Sequence, residues 1–319
     1  MAFRVVFFGT PAIAVPTLQS LAQSRLLELA AVFTQPAARR SRRGHAEPSE
    51  VAHAARALGL ETHEVESVNE GETFERLRTL APDAIAVVSF GQILKKRVLE
   101  LPPHGCLNFH PSLLPAFRGA APIQRAVIAG VRTSGLTIIR LVKKLDAGPI
   151  LAQKPWEIGE LLNAEELMAQ AAPMGASMML DMLERLARGE QVAARAQDDA
   201  QATLAPPLSK EDGALDFRRP AVSLRDLVRG VQPWPRAQAT LAGEKPRRLI
   251  VHGAQTRDGS GAPGEVVAID KGGIVVGCGE GALCLTHVQL EGKSLVTGFE
   301  LANGLRLARG ARFLLPETA

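Results

Sequence analysis

The chain has 319 residues, about two domains at roughly 150 residues each, and is long enough to bury a sizeable core. Hydrophobic residues at 46% and charged residues at 22% exclude a disordered chain, and a net charge of +4 argues only weakly for an anionic partner, so local clustering has to carry that case. Three cysteines (Cys106, Cys278, Cys284) without a CxxC pair exclude a disulfide framework and fit a reducing compartment.

Phe3–Phe8 reads as a strand, followed by a Gly-Thr-Pro turn and a helix to about Gln23. The charge-free run Val5–Ser24 is long enough to span a bilayer, but Gly9, Pro11, Pro16 and Gln19 interrupt it and no basic segment precedes an unbroken apolar one. Neither a signal peptide nor a membrane span is read, and a soluble, cytoplasmic protein is expected. Leu29–Phe33 is a second strand, ending in a loop that carries Arg39, Arg40, Arg42 and Arg43; Ser49 then starts a helix over Glu50–Leu58. Asp83–Ser89, Gly105–Phe109 and Ser134–Val142 are further apolar strands, with a helix between the last two bracketed by Pro122 and Gly130. Strands alternating with helices, and apolar without a period of two, predict an α/β unit: a mostly parallel, Rossmann-like sheet with helices on both faces.

A long amphipathic helix follows from about Ala164 to Arg188. Residues 190–208, rich in Ala, Gln, Asp and Pro, read as a linker between an α/β domain over 1–189 and a second domain over 209–319. There the texture changes to short strands, Arg236–Leu241, Arg247–Val251, Gly264–Ile269, Gly273–Gly277 and Ala282–Val288, separated by glycine turns. Such spacing predicts a small antiparallel β-barrel, best described as OB-like.

The segment Gly105–Pro122 carries the most chemistry. Asn108 and His110 sit two apart on a predicted strand, so both point to one face, at the strand end where open α/β sheets bind ligands. A carboxamide beside an imidazole can stabilise an oxygen that turns negative during carbonyl addition, and the imidazole can move protons near neutral pH. The same spacing is met by an Asn and a His satisfied within a loop. Ser112-Leu113-Leu114-Pro115 is a short apolar turn suited to a flat aromatic ligand, or packed for its own sake. Asp146, in the turn Leu145–Pro149, is either a local acceptor or the carboxylate that orients His110. Phe8–Pro11 (FGTP) is no GxGxxG, no P-loop spacing is present, and the seven histidines form no HxxxH or HExxH pair. Neither a dinucleotide, ATP nor a metal is expected.

FGTPAIAVPTL (8–18), TQP (34–36), SFGQIL (89–94), LNFHPSLLPAFRGAAPIQ (107–124) and LDAGPIL (145–151) closely resemble the methionyl-tRNA formyltransferases, within the 10-formyltetrahydrofolate-dependent formyltransferases. The resemblance continues through QPWPRA (232–237), PGEVVAIDKGGIVVGCGEGALCL (263–285) and QLEGK (289–293), over nearly the whole chain. It implies formyl transfer from 10-formyltetrahydrofolate, without a metal, to methionine on initiator tRNA for translation initiation, by a cytoplasmic monomer. It further implies Asn108, His110 and Asp146 as the catalytic set, with Asp146 positioning His110. Ser112, Leu113, Leu114 and Pro115 would match the folate motif, with Phe90, Gly91 and Leu94 lining the pterin pocket. Arg39, Arg40, Arg42 and Arg43 would contact tRNA, each phosphate neutralised steepening the salt dependence of binding, and the C-terminal OB-like domain would bind tRNA as well. The basic loop keeps the family's charge but not its spacing, and Arg132 stands where the family more often has an acid. Competing readings keep the chemistry but change the acceptor to glycinamide ribonucleotide or an amino sugar, or make the chain a non-catalytic RNA-binding protein. A nicotinamide-dependent dehydrogenase is a further alternative.

Overall fold

The computed structural model describes residues 2–39 and 45–316. In chain order its first part comprises β1 (Phe3–Gly9), α1 (Val15–Ala22), β2 (Leu27–Thr34), β3 (Ala38–Arg39), β4 (Ala46–Glu47), α2 (Glu50–Ala57), β5 (Thr62–Glu64), α3 (Gly71–Thr79), β6 (Ala84–Val88), α4 (Lys96–Leu99), β7 (Cys106–His110), α5 (Pro122–Ile128), β8 (Thr133–Arg140), β9 (Ile150–Glu157) and α6 (Ala164–Ala187). The main sheet runs β5-β2-β1-β6-β7-β8-β9, with β5, β2, β1, β6 and β7 parallel and β8 antiparallel to β7. The chain works outward from β1 to β2 and β5, then returns to the other side of β1 with β6. Loops at the carboxyl ends therefore part beside the central strands, the usual ligand crevice of such sheets.

Hydrophobicity without alternation is explained by burial on both faces: all five residues of β6 (AIAVV) are buried. Val6, Phe8, Ile85 and Cys106 pack with Phe74 and Leu77 of α3 and Val98 of α4. On the opposite face Phe109 lies against Gly175 of α6, where a Cβ would come within 2.4 Å of its ring. Ser49 caps α2, its hydroxyl accepting from the Ala52 N–H at 3.0 Å. The short strand β5 and the helix α3 had no distinct sequence signal. The edge strand β9 (ILAQKPWE) is largely half-buried or exposed and does not read as a strand from its apolar content.

The second part comprises α7 (Ala221–Gly230), β10 (Ala237–Leu241), β11 (Arg247–Arg257), β12 (Val266–Asp270), β13 (Gly273–Gly277), β14 (Ala282–Leu290), β15 (Leu295–Thr297), α8 (Gly298–Leu305) and β16 (Phe313–Leu314). Its antiparallel sheet runs β12-β13-β14-β11-β10-β16, with β15 on β14. The Val266 N–H donates to the Ala311 carbonyl at 2.8 Å and the Phe313 N–H to Gly264 at 2.7 Å, so the two ends of that path meet and the sheet curls closed as an OB-like barrel. Its core gathers Phe217, Leu224 and Val228 with Leu249, Val251, Ile274, Val276, Leu283, Leu285 and Phe313.

By contact density the chain divides into two compact units, residues 1–122, 134–157 and 168–205 in one, and 123–133, 158–167 and 206–319 in the other. Residues 190–205, most of the segment expected as a linker (190–208), are counted in the first unit. Within the second, Arg132 pairs with Glu160 at 3.1 Å, so the departure at Arg132 is matched by an acid of the same unit.

Candidate active site

The strand β7 ends in Asn108, Phe109 and His110. Period-two alternation puts Asn108 and His110 on the Cys106 face, and the register sets Asn108 opposite Val87 of β6 and His110 opposite Thr137 of β8. His110 is 4% exposed. Its Nε2 lies 2.8 Å from the Phe117 carbonyl oxygen, and a carbonyl only accepts, so Nε2 carries a proton in this arrangement. Nδ1 faces the Asp146 carboxylate, with Oδ2 at 3.7 Å, beyond hydrogen-bond length. Burial pushes the imidazole below its ordinary value of 6.5, against Asp146 and the Phe117 carbonyl, which favour the charged form. The ring is therefore neutral near pH 7, with its free lone pair on Nδ1 and a carboxylate ready to stabilise a proton there.

Asp146 is itself held. Its Oδ2 accepts from the Gly119 N–H at 2.8 Å, and its main chain adopts a left-handed φ of 45°. A non-glycine residue there requires support from its surroundings. Gly119, at φ +127°, has no room for a side chain: a Cβ would come within 2.5 Å of the Ala205 carbonyl oxygen. The Asn108 carboxamide is half-buried and, among the described residues, makes no side-chain hydrogen bond.

In the segment Ser112–Pro115, Ser112 is fully buried and its hydroxyl donates to the Ala116 carbonyl at 2.6 Å. Leu114 is buried against Ile139 and Ile150. Leu113 and Pro115 are the half-buried residues of the segment. Thr137 braces the turn, donating to the Ser112 carbonyl at 2.6 Å, while Gln153 donates to the Leu114 carbonyl at 2.9 Å.

Beyond β6, Phe90 is buried and stacks on Phe8 with centroids 4.7 Å apart. Its carbonyl accepts from Thr10 Oγ1 at 2.9 Å and Gln35 Nε2 at 3.3 Å. Gly91 takes φ +82°, and a Cβ there would strike Gln35 Nε2 at 2.8 Å. Leu94 is buried in the same cluster as Phe90. Asn69 accepts from the Lys95 N–H at 2.7 Å and donates to the Ile93 carbonyl at 2.9 Å, fixing the loop.

His110 and Asp146 are thus brought together, with Asn108 on the same strand face. The expected tRNA contacts are not described to that level. Ala38–Arg39 pairs with Ala46–Glu47 as a two-stranded ribbon at the base of the basic loop; Arg40, Arg42 and Arg43 lie outside the described residues, as does the side chain of Arg39. Thr10 and Gln35 fall within the motifs FGTP and TQP but have no role that the motifs assign, and Asn69, Thr137 and Gln153 carry no motif that marks them in the sequence. Each acts on main-chain groups distant in sequence, for which short-range spacing gives no signal.

The family profile described as "Formyl transferase" matches residues 3–183, and "Formyl transferase, C-terminal domain" matches 207–306. A methionyl-tRNA formyltransferase from Solibacter usitatus is 42% identical over 97% of this chain and 98% of its own length. One from Anaeromyxobacter dehalogenans is 44% identical over 96% and 98%. Among solved structures, an N-formyltransferase from Helicobacter canadensis, in complex with folinic acid and dTDP-3-aminofucose, superposes at a TM-score of 0.65 and 13% identity over 89% of this chain and 99% of that one. HypX from Aquifex aeolicus, in complex with tetrahydrofolic acid, superposes at 0.62 and 15% identity over 97% and 48%. At such identities the structural likeness speaks for the fold.

Proposed function

The chain belongs to the methionyl-tRNA formyltransferase family, and from that premise we propose that it transfers a formyl group from 10-formyltetrahydrofolate to the α-amino group of methionine on initiator tRNA. The observation that carries the chemistry is the pairing of a buried, neutral His110 with Asp146 at a strand end, with Asn108 on the same strand face and its carboxamide free of side-chain hydrogen bonds among the described residues.

The residues present fit the folate donor: Asn108 has unused donors and His110 an unused lone pair, which a carbonyl oxygen and an attacking amine complete. The bound folate supplies the formyl carbon. Asn108 donates to the formyl oxygen as the amine adds and that oxygen gains negative charge. His110 takes the proton from the amine at Nδ1, and Asp146, facing that atom, stabilises the imidazolium without itself being protonated. The proton held at Nδ1 is the one returned to the departing nitrogen. The Phe117 carbonyl, holding Nε2–H, keeps Nδ1 as the atom that exchanges protons throughout.

In this reading residues 1–189 do the chemistry, with Leu113, Pro115 and the main chain of Phe90–Leu94 against the folate. Arg39, Arg40, Arg42 and Arg43 and the barrel of 209–319 hold the tRNA. No helix among the described residues is long and apolar enough to cross a membrane. A cytoplasmic, metal-free, monomeric enzyme completes the proposal.

The test is formyl transfer from 10-formyltetrahydrofolate with methionyl initiator tRNA and glycinamide ribonucleotide offered in parallel. Formylation of the tRNA alone is expected. Transfer to the small amine alone would keep the trio and overturn the acceptor; no transfer to either would overturn the catalytic reading.

A further inference from the structure

Residues 195–205, expected as part of the linker between domains, are laid across the two loops that make the site. Arg195 and Ile150 exchange main-chain hydrogen bonds at 2.9 and 2.8 Å. The Arg118 N–H donates to the Thr203 carbonyl at 2.8 Å, the Ala205 N–H to Arg118 at 2.7 Å and the Ala121 N–H to Ala205 at 3.1 Å. The segment, which includes a 3-10 turn at Asp199–Gln201, is thereby stitched to the loop after β7 and to the start of β9, and all of these residues belong to one compact unit.

Two of its side chains reach the supports of the catalytic pair. Gln197 Nε2 donates to the Asp146 and Gly148 carbonyls, each at 2.7 Å. Its Oε1 accepts from Arg118 Nε at 3.1 Å and Nη2 at 2.8 Å. Arg118 is 4% exposed, and its remaining arm pairs with Asp199 at 2.8 Å, which also holds Lys144. A buried guanidinium is costly unless its donors are met, so Arg118 fixes the Gln197 carboxamide with both hydrogens towards the Asp146 turn. Arg118 also precedes Gly119, whose N–H holds the Asp146 carboxylate. At the other end Thr203 Oγ1 accepts from the Phe117 N–H at 2.8 Å, and Phe117, at a left-handed φ of 61°, presents the carbonyl that accepts from His110.

We propose that residues 195–205 are a positioning strap for the active site, in which Gln197 sets Asp146 against His110 and Thr203 sets the Phe117 carbonyl. The inference rests on the reading of Asp146 and His110 as the catalytic pair. Neither strap residue touches the reacting atoms. Gln197 acts by holding an unfavourable backbone turn in the one orientation that faces the carboxylate to Nδ1.

The decisive experiment is a double-mutant cycle on the full chain with 10-formyltetrahydrofolate and methionyl-tRNA, comparing Gln197→Glu, Gln197→Ala, Asp146→Asn and the double variants. Gln197→Glu keeps an acceptor for Arg118 but opposes an oxygen to the two carbonyls; Gln197→Ala removes both arms without adding charge and carries the test should the first variant melt early. Each is expected to lower kcat about 10- to 100-fold with KM for both substrates within about twofold, the size typical of groups that orient a reacting residue. In the Asp146→Asn background the same change should move the residual kcat by less than about threefold, since a residue acting through Asp146 has nothing left to position. A kcat near wild type in the single Gln197 variants, or losses that multiply in the double variant, overturns the strap while leaving the catalytic pair standing. Wild-type turnover in Asp146→Asn overturns the pair, and the strap with it. Thr203→Val is expected to lose several-fold in kcat, and Thr203→Ser, which keeps the hydroxyl, to restore it.

Discussion

The parallel sheet and the barrel bury their strands in different ways. Every residue of β6 is buried, whereas β10 (AQATL) alternates buried and half-buried positions around a single core. Among the described barrel strands only β13 is buried throughout, with its Val275 packing against Ala282 and Cys284. A strand covered on both faces leaves little place for polar side chains along its length, β8 burying only Ser134 and Thr137 of that kind, and the candidate site gathers at strand ends and the loops beyond them. His110, Ser112 and Arg118 there, and Thr137 within β8, are all buried and all find partners. A strand covered on one face leaves the other to water, and a surface of that kind suits an extended, charged partner better than a reaction that must exclude solvent.

That contrast can be broken or sharpened by measurement. The largest expected effect is His110→Ala, which removes the proposed proton acceptor and should cut kcat roughly 10²- to 10⁴-fold while folate affinity persists. Unchanged turnover would put the chemistry elsewhere. Next comes Phe217→Ala in the barrel core, which vacates a fully buried site and should cost about 3–5 kcal/mol of stability, read as a lower melting temperature. At a temperature where the variant is folded, kcat should stay near wild type; a loss matching that of His110→Ala would erase the division of labour. Replacing Arg39, Arg40, Arg42 and Arg43 together should weaken tRNA binding without changing folate affinity. The salt slope should flatten by up to about one unit for each phosphate no longer neutralised. Equal loss for both ligands would point to misfolding instead.

The smallest effect is on pH. His110 is held below its ordinary value of 6.5 by burial, so below that value the unfolded chain takes up a proton that the folded site resists. Stability should therefore fall as pH drops from 6.5 through the folded-state value, and turnover should decline at lower pH as Nδ1 becomes protonated. His110→Gln should flatten that part of the stability curve; an identical slope in the variant would show that His110 does not carry it.

Much of this is legible in the residues. The run DAIAVVS gives a doubly buried strand from its lack of alternation, and Asn108 with His110 gives a shared face from spacing alone. The motif following them points to the family. The strand β9 and helix α3 are not legible, because ILAQKPWE has too few apolar residues and α3 is marked by only two buried ones, Phe74 and Leu77. Gln197 and Thr203 are invisible for another reason: a polar segment that hydrogen-bonds two loops far away along the chain has the same composition as one that bonds to water.

Sequence by itself therefore determined the two architectures, the family and the residue types at the strand end, because burial patterns and local motifs are short-range properties. Tertiary structure alone decided which nitrogen of His110 meets the Phe117 carbonyl, how Asp146 comes to face the other, and that residues 195–205 are bound across both loops. Those depend on distances between segments far apart in the chain, where a carbonyl or a carboxamide takes its role from whichever group folding brings against it.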